Sequence, residues 1–547
     1  MIRLTEIKLP LDLPGSKQPD TAIAEVVVRI LGIQADELQS VNIFKLSFDA
    51  RKAELLQVYI VDVALSNDAL EAEVLQRFDN NPHVRPTPDM AYKPVAIAPA
   101  HLTSRPVVVG FGPCGIFAAL VLAQMGFKPI VLERGKKVRE RTKDTWNLWR
   151  KNQLHPESNV QFGEGGAGTF SDGKLYSQIK DPRYLGRKVM QEFVKAGAPE
   201  EMLVDAHPHI GTVKLVKVVE HLREQIIALG GEVRFEQRVT DVKIENGQLQ
   251  GLTVLDAVTQ QSYELPTQQA VLALGHSARD TFEMLHERGV YVEAKPFSIG
   301  FRIEHPQSLI DRARWGRHAE HPLLGAADYK LVHHAKNGRA VYSFCMCPGG
   351  TVVAATSEVG RVVTNGMSQY SRNERNANAG IVVGITPEDF PSKHPLAGIE
   401  LQRTLESAAY VLGGRTDEAP GQLVGDFVKG VASTALGSVV PSYKPGVKLV
   451  DLAAALPSYA IEAVREAIPA FGKKIKGFDL PDAVLTGVET RTSSPIKMTR
   501  GDDFQSLNVR GLFPAGEGAS YAGGILSAGV DGIKVAEAVA LSLLNQA

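Results

Sequence analysis

The chain's most specific chemical pattern is a set of glycines and one acid. Gly110, Gly112 and Gly115 follow the valine run Val107 to Val109 in PVVVGFGPCGIFAALVLAQMGFKPIVLE (106–133), and Glu133 closes the stretch. Gly110 permits a tight turn, Gly112 lets backbone approach a pyrophosphate, and Gly115 lets the next helix pack closely on the strand. The helix start supplies unpaired N–H groups and a positive dipole end. Glu133, 18 residues past Gly115, stands where a carboxylate accepts both ribose hydroxyls of an adenosine and repels a 2′-phosphate. With strand, helix and acid in place, this is a dinucleotide-binding pattern. Residues 106–127 carry no charged side chain and are long enough to span a bilayer, but three glycines and a proline within six residues argue against a membrane helix.

Two further glycine-rich runs could serve the same ligand. In FGEGGAGTFSDGK (162–174), glycine recurs too often for a regular element. Thr169, Ser171, Asp172 and Lys174 place hydrogen-bonding groups among these glycines, which suits a flat or anionic ligand. Near the C-terminus, the apolar strand GLFPA leads into Gly516-Glu517-Gly518 and Tyr521-Ala522-Gly523-Gly524-Ile525, followed by a long helix to Leu544. One glycine-turn start and one remote glycine-rich return suit a bipartite cofactor. Gly275, after the strand Gln269 to Leu274, lies where chain would touch that cofactor. His276 beside it reads as a local hydrogen-bonding group.

Residues for proton or electron transfer are less well marked. Arg491 precedes the returning strand and could bind a substrate carboxylate or a ring edge; a surface arginine is an equal reading. Arg302, Glu304 and His305 in FSIGFRIEHP are weaker candidates. Cys345 and Cys347 share one face of an extended strand with Cα atoms roughly 6.6 Å apart, the upper end of disulfide geometry. A bend before Pro348 would close that gap into a disulfide relay, while buried thiols acting as small hydrophobes are the favoured reading. No metal site is marked.

The positioning elements follow from pattern. A chain of 547 residues exceeds one hydrophobic core, so several domains are expected. Residues 1–95 read as an N-terminal α+β module with strands Arg3 to Leu9, Val41 to Phe48 and Leu56 to Val63, a helix from Thr21 to Leu31, and a proline-rich linker from Pro82 to Pro99. Lys45, Arg51 and Lys52 could form a basic patch for RNA. However, residues 1–93 carry ten Lys/Arg against fourteen Asp/Glu, so a solvated hairpin is expected and nucleic acid is not an expected partner. An exposed helix spans Lys136 to Arg150. An amphipathic helix covers 215–230, and strands Glu232 to Phe235, Val239 to Glu245 and Leu249 to Leu255 follow, the last two joined by Asn246-Gly247. From Lys295 to Leu480 the pattern changes. FSIGFRIEHP alternates, YSFCMCPGGTVVAATS reads as irregular, and helices cover Leu396 to Leu412 and Ala460 to Ile468. The expected division is 1–95, 96–292, an inserted substrate domain at 293–480, and a return at 481–547. The formal net charge of −1 gives no pull toward polyanions or anionic membranes. Three cysteines and a start without a signal-peptide profile fit a reducing cytoplasm.

Jointly, VVVGFGPCGIFAALVLAQMGFKPIVLERG, FGEGGAGTFSDGKL, VLALGHSARD, KPFSIGFRIEHPQ, YSFCMCPGG and GLFPAGEGASYAGGILSAGVDGIKVAEA resemble a bacterial family of FAD-dependent dehydrogenase-like proteins with a glutathione-reductase-type fold and an unassigned substrate. The fold expected is α/β: a Rossmann-type FAD-binding domain with an inserted α+β substrate domain and a small N-terminal α+β domain. The resemblance implies that Gly110, Gly112, Pro113, Cys114, Gly115, Glu133 and Arg134 hold the ADP half. It implies that Arg141 and Gly166, Ala167, Gly168, Thr169 and Ser171 cover pyrophosphate and ring. It further implies contacts at Val239 and Gly275, with Gly516, Glu517, Gly524 and Ile525 at the ribityl and flavin end. The C-terminal return favours FAD over NAD, and a helix start near Ile525 could stabilise negative charge on reduced flavin. A second glycine fingerprint is absent, so NAD(P)H is eligible only as a transient donor. The glycine loop also lacks the cysteine pair of the pyridine-nucleotide disulfide reductases. A hydride exchanged with a small organic substrate is the expected reaction; an RNA-modifying flavoprotein and a flavin sensor without turnover are the alternatives.

Overall fold

A computed structural model describes residues 1–13, 18–51 and 54–546. It divides into two compact units: residues 1–92, 180–194 and 198–209 form one, and 93–179, 195–197 and 210–547 the other.

The smaller unit holds an antiparallel four-stranded sheet ordered Leu38–Asp49, Leu56–Leu65, Ile2–Pro10, Val84–Pro86. Its core is made by alternating residues such as Ile2, Leu4, Val61 and Val63 against Ile23, Val27 and Leu31 of the helix Pro19–Leu31. Pro19 starts that helix and Gly32, at φ 62°, ends it. The expected linker is partly a strand: Val84–Pro86 pairs with Ile2 to Leu4. Pro86 is tolerated because this is the sheet's edge, where its missing N–H costs no ladder bond. In the hairpin, Arg51 is neutralised by two hydrogen bonds to Asp49; Lys52 lies outside the described residues.

The larger unit is built on two sheets. A parallel five-stranded sheet runs Leu512–Pro514, Ala270–Leu272, Val107–Val109, Ile130–Glu133, Glu232–Phe235. Its strands read as continuous apolar runs because all but the last are buried on both faces. The uncharged stretch considered as a membrane span is a strand, a turn and the helix Pro113–Gln124. Among the described residues no helix is long and apolar enough to cross a membrane. A three-stranded antiparallel sheet, Gln237–Glu245, Gln248–Asp256 and Gln261–Pro266, follows. Its Asn246-Gly247 turn has positive φ at both residues.

The second large sheet is eight-stranded and centres on Phe297–Pro306, flanked by Asn376–Ile385 and Val484–Glu489. FSIGFRIEHP alternates in sequence, yet nine of its ten residues are buried, because both faces are covered. One sequence expectation fails here. YSFCMCPGG is not irregular: it belongs to the strand Ala340–Ala354, which pairs with Asn376–Ile385 through two register shifts. Val484–Glu489 also lies beyond the boundary expected at residue 480, yet it pairs with Phe297–Pro306.

Candidate functional site

The carboxyl ends of the parallel strands open on a cavity of about 580 Å³, within the size range of ligand pockets. Strand order sets its polarity. The Glu232–Phe235 edge brings Glu133, Arg134 and Val239 to one side, and the Leu512–Pro514 edge brings Gly516, Glu517, Gly524 and Ile525 to the other. Between them stand Gly110, Gly112, Pro113 and Cys114, and the loop residues Gly166, Ala167, Gly168 and Ser171. The side with Gly516 continues to Lys174, Tyr176, Tyr329, Cys345, Glu489 and Arg491.

Close approaches of backbone build this cradle. A β-carbon on Gly110 would stand 2.1 Å from the Ala273 carbonyl oxygen, and Gly110 has φ +100°. A β-carbon on Gly115 would stand 1.9 Å from the Gly110 carbonyl oxygen, so the helix can start this close to the strand only with glycine there. Gly112 is the N-cap of Pro113–Gln124 and supplies no side-chain cap, which leaves first-turn N–H groups for an anion. The C-terminal helix begins at Ile525 and crosses the first so closely that a β-carbon on Gly532 would meet the Cys114 carbonyl oxygen at 2.3 Å.

Glu133 is 4% exposed and accepts from the backbone N–H of Phe111 at 2.9 Å, Gly135 at 2.8 Å and Gly163 at 3.0 Å. A carboxylate has about four acceptor positions, so one is left for a ribose hydroxyl. Arg134 lines the cavity while paired with Glu157 and Asp280, and its guanidinium lies 4.0 Å above the Phe162 ring. Open space faces Gly275, Gly523 and Gly524, where a β-carbon would meet nothing within 4 Å. A helix terminus for a diphosphate, a spare acceptor for a ribose and an open glycine-lined floor fit FAD.

Several expected site residues lie elsewhere. Arg141 does not line the cavity. It is fully buried, and its guanidinium donates to the carbonyls of Asn159 (2.8 Å), Val160 (2.7 Å) and Glu164 (2.7 Å). Arg141 therefore braces the glycine loop and has no donor turned to a phosphate. Thr169 is buried beside it, 3.5 Å from Arg141 Nη1. Glu304 accepts from Asn376 (3.0 Å) and Ser442, and His305 Nε2 lies 2.6 Å from the Phe478 carbonyl oxygen; both are spent on structural contacts and neither lines the cavity. Arg302 does not line the cavity either; it donates to Glu489 at 2.9 Å. Arg491 does line it, but is held by Glu406, Ser277 and Ser357. His276 lies 2.9 Å from Ser277 Oγ, and burial with Arg491 and Arg279 nearby pushes it down to about 3.

The group that sequence reasoning passed over is Glu489. It is 3% exposed, lines the cavity and is pushed up to about 7 by burial, against the pull of Arg302. A glutamate ending the apolar strand VLTGVE was the available signal; its partner stands 187 residues away. Glu517 is likewise pushed up to about 7, by burial against the pull of Lys295. Lys174 donates to the Met346 carbonyl oxygen and has no carboxylate partner among the described residues.

Residues 296–492 match the family described as "FAD-dependent protein, C-terminal domain-like", and residues 1–64 match a domain of unknown function. An uncharacterized protein of Clostridium beijerinckii is 46% identical over 544 residues, 98% of each chain. Among solved structures, a mutant of E. coli quinol fumarate reductase is 12% identical, with 81% of this chain and 71% of that one covered at a TM-score of 0.37. The Bacillus halodurans glycerol-3-phosphate dehydrogenase, solved with FAD, is 10% identical, with 81% and 66% covered at 0.37. These structural likenesses are too distant to bear on this chain's activity.

Proposed function

Because the chain belongs to the family of FAD-dependent proteins, we propose that it is a dehydrogenase-type oxidoreductase that exchanges a hydride between FAD and a small organic substrate. FAD, when bound, supplies the two-electron chemistry at its ring. The observation that supports turnover is the cavity's second side: a site that only held a dinucleotide would have no need of Lys174, Glu489 and Glu517 beyond the glycine cradle.

The N–H groups of Cys114 and Gly115 would hold the ADP half, with Glu133 toward the ribose and Val239 alongside. Gly166 to Ser171 would cover the middle, and Gly516, Glu517, Gly524 and Ile525 would hold the ribityl and flavin end. Arg141 acts one layer back by fixing the loop. Glu489 holds or releases a proton near neutral pH, and Arg302 fixes the orientation of its carboxylate. Lys174 offers a cation to an anionic group of the substrate. Three unpaired cysteines fit a cytoplasmic setting.

Anaerobic mixing of the holoprotein with NADH, NADPH and a panel of small acids and amines tests this. One donor is expected to bleach the flavin band. Bleaching by none would leave a flavin sensor and sink the reading. With the active donor, the pH profile of flavin reduction should inflect near 7, the range to which Glu489 is raised; Glu489→Gln should remove that inflection while FAD stays bound. An unchanged profile would exclude Glu489 as the proton-handling group.

A further inference from the structure

Cys345 and Cys347 are not simple core thiols. Cys345 is partly exposed and lines the cofactor cavity; Cys347 is buried behind it. Pairing between the strands runs Phe344 with Gly380 and then Cys347 with Asn378, so one extra residue bulges out between them. Cys345 occupies that bulge with φ +43°, left-handed backbone for a residue other than glycine. Such conformations are costly and collect at functional sites. The bulge departs from regular extended spacing and turns Cys347 back on its neighbour: its Sγ donates to the Cys345 carbonyl oxygen at 3.3 Å.

The surroundings are cationic. Arg302 donates to the Cys345 carbonyl at 2.8 Å, and Lys174 to that of Met346 between the two cysteines. A β-carbon on Gly366 would stand 3.0 Å from Cys347 Sγ and 3.1 Å from Arg302 Cζ, so glycine alone admits this packing. Glu489 answers the charge of Arg302, and Asp172 that of Arg372. Lys174 is left without a carboxylate partner among the described residues, and a thiolate at Cys345 would supply its counter-charge. Hydrogen bonding by the Cys347 side chain holds Cys345 below the ordinary thiol range, with Arg302 and Lys174 acting the same way against burial.

We propose that Cys345 and Cys347 form a redox-active dithiol–disulfide pair that exchanges two electrons with the flavin, Cys345 being the thiol open to the cavity and Cys347 its resolving partner. In the reducing direction, the disulfide takes two electrons and one proton from the anionic reduced flavin. The Sγ–Sγ bond breaks, Cys345 leaves as a thiolate beside Lys174, and Cys347 takes the proton; one negative charge enters and one leaves, and the flavin is reoxidised. The reverse step stores the electrons of a closed disulfide on the flavin.

This rests on FAD occupying the cavity and not on the hydride-transfer substrate, so the two fail separately: a protein with no donor among the panel can still show the electron count below. Air-oxidised holoprotein, with its FAD quantified, is titrated anaerobically with dithionite, and free thiols are counted under denaturing conditions before and after. The wild type is expected to consume four electrons per FAD and to go from one free thiol to three. Cys345→Ser and Cys347→Ser should each consume two electrons per FAD. Two electrons per FAD in the wild type with three free thiols at the outset would overturn the proposal, as would four electrons in either serine variant.

Discussion

Gly110→Ala is expected to yield a protein that no longer retains FAD. The added β-carbon would overlap the Ala273 carbonyl oxygen at 2.1 Å, and it would sit on backbone with φ +100°. Overpacking of this kind costs about 1–3 kcal/mol, and a strained backbone adds roughly 1–3 kcal/mol. The two costs fall on neighbouring strands of the parallel sheet, Val107–Val109 and Ala270–Leu272, whose carboxyl ends form the cradle. Relief requires those strands to part, which moves Gly112 away from Gly166. At about 1.4 kcal/mol per tenfold, affinity for FAD should fall by at least roughly 30-fold. The check is the ratio of flavin to protein absorbance after desalting, together with the melting temperature. Full flavin content and an unchanged melting temperature would contradict this account of the turn.

Glu406→Ala is expected to be the most destabilising single truncation behind the cavity. Glu406 is fully buried and accepts from Arg279 at 2.7 and 3.0 Å, from Arg491 at 3.1 Å through two nitrogens, and from Thr490 at 2.8 Å. Its removal leaves the buried Arg491 without a carboxylate and Arg279 with Glu358 alone, and breaking a buried pair in this way costs about 3–5 kcal/mol. Arg491 also loses the partner that holds it at the cavity wall, so flavin content should fall as well. The sign with pH follows from the carboxyl itself. Burial raises it, but Arg491 and Arg279 outweigh burial and hold it well below the usual carboxylate range. The unfolded chain therefore binds this proton more readily than the folded one. The stabilisation is fully present above the ordinary value of about 4.3 and is lost as pH falls below it. Thermal melts of wild type and Glu406→Gln should differ at pH 7 and converge as the solution is made acid. A constant difference down to strongly acid pH would show that the charge of Glu406 is not what stabilises the fold.

What was legible in the chain was what is local. The Val107–Glu133 unit carries its strand, turn, helix and acid within one stretch, and the return at Gly516–Ile525 repeats the turn-and-helix grammar. Arg141 was misjudged although its burial was written in the spacing. Val138, Arg141, Thr145, Leu148 and Trp149 recur at helical intervals and form the buried face of Val138–Lys151. What no spacing revealed was that the carbonyls of residues 159–164 converge on its guanidinium. FSIGFRIEHP shows the same limit. Its alternation does not reveal that Arg302 and Glu304 are buried and partnered by residues far along the chain. The spacing of Cys345 and Cys347 likewise assumed a regular strand; the bulge is created by pairing with Asn376–Ile385, a tertiary event. Glu489 was overlooked because its significance lies in Arg302 and the cavity, neither adjacent to it in sequence.

The central claim is that FAD lies along the carboxyl edge of the parallel sheet, its ADP half on the Pro113–Gln124 helix and its ring on the side of Ile525, Lys174 and Cys345. Electron density for FAD in crystals of the holoprotein tests it most directly. The account predicts the diphosphate against the backbone of Gly112 to Gly115, the adenosine beside Glu133 and Val239, and the ring within contact of Ile525 and open toward Cys345. A ring lodged beside Glu133 and Val239, or a flavin bound outside this cavity, would contradict it.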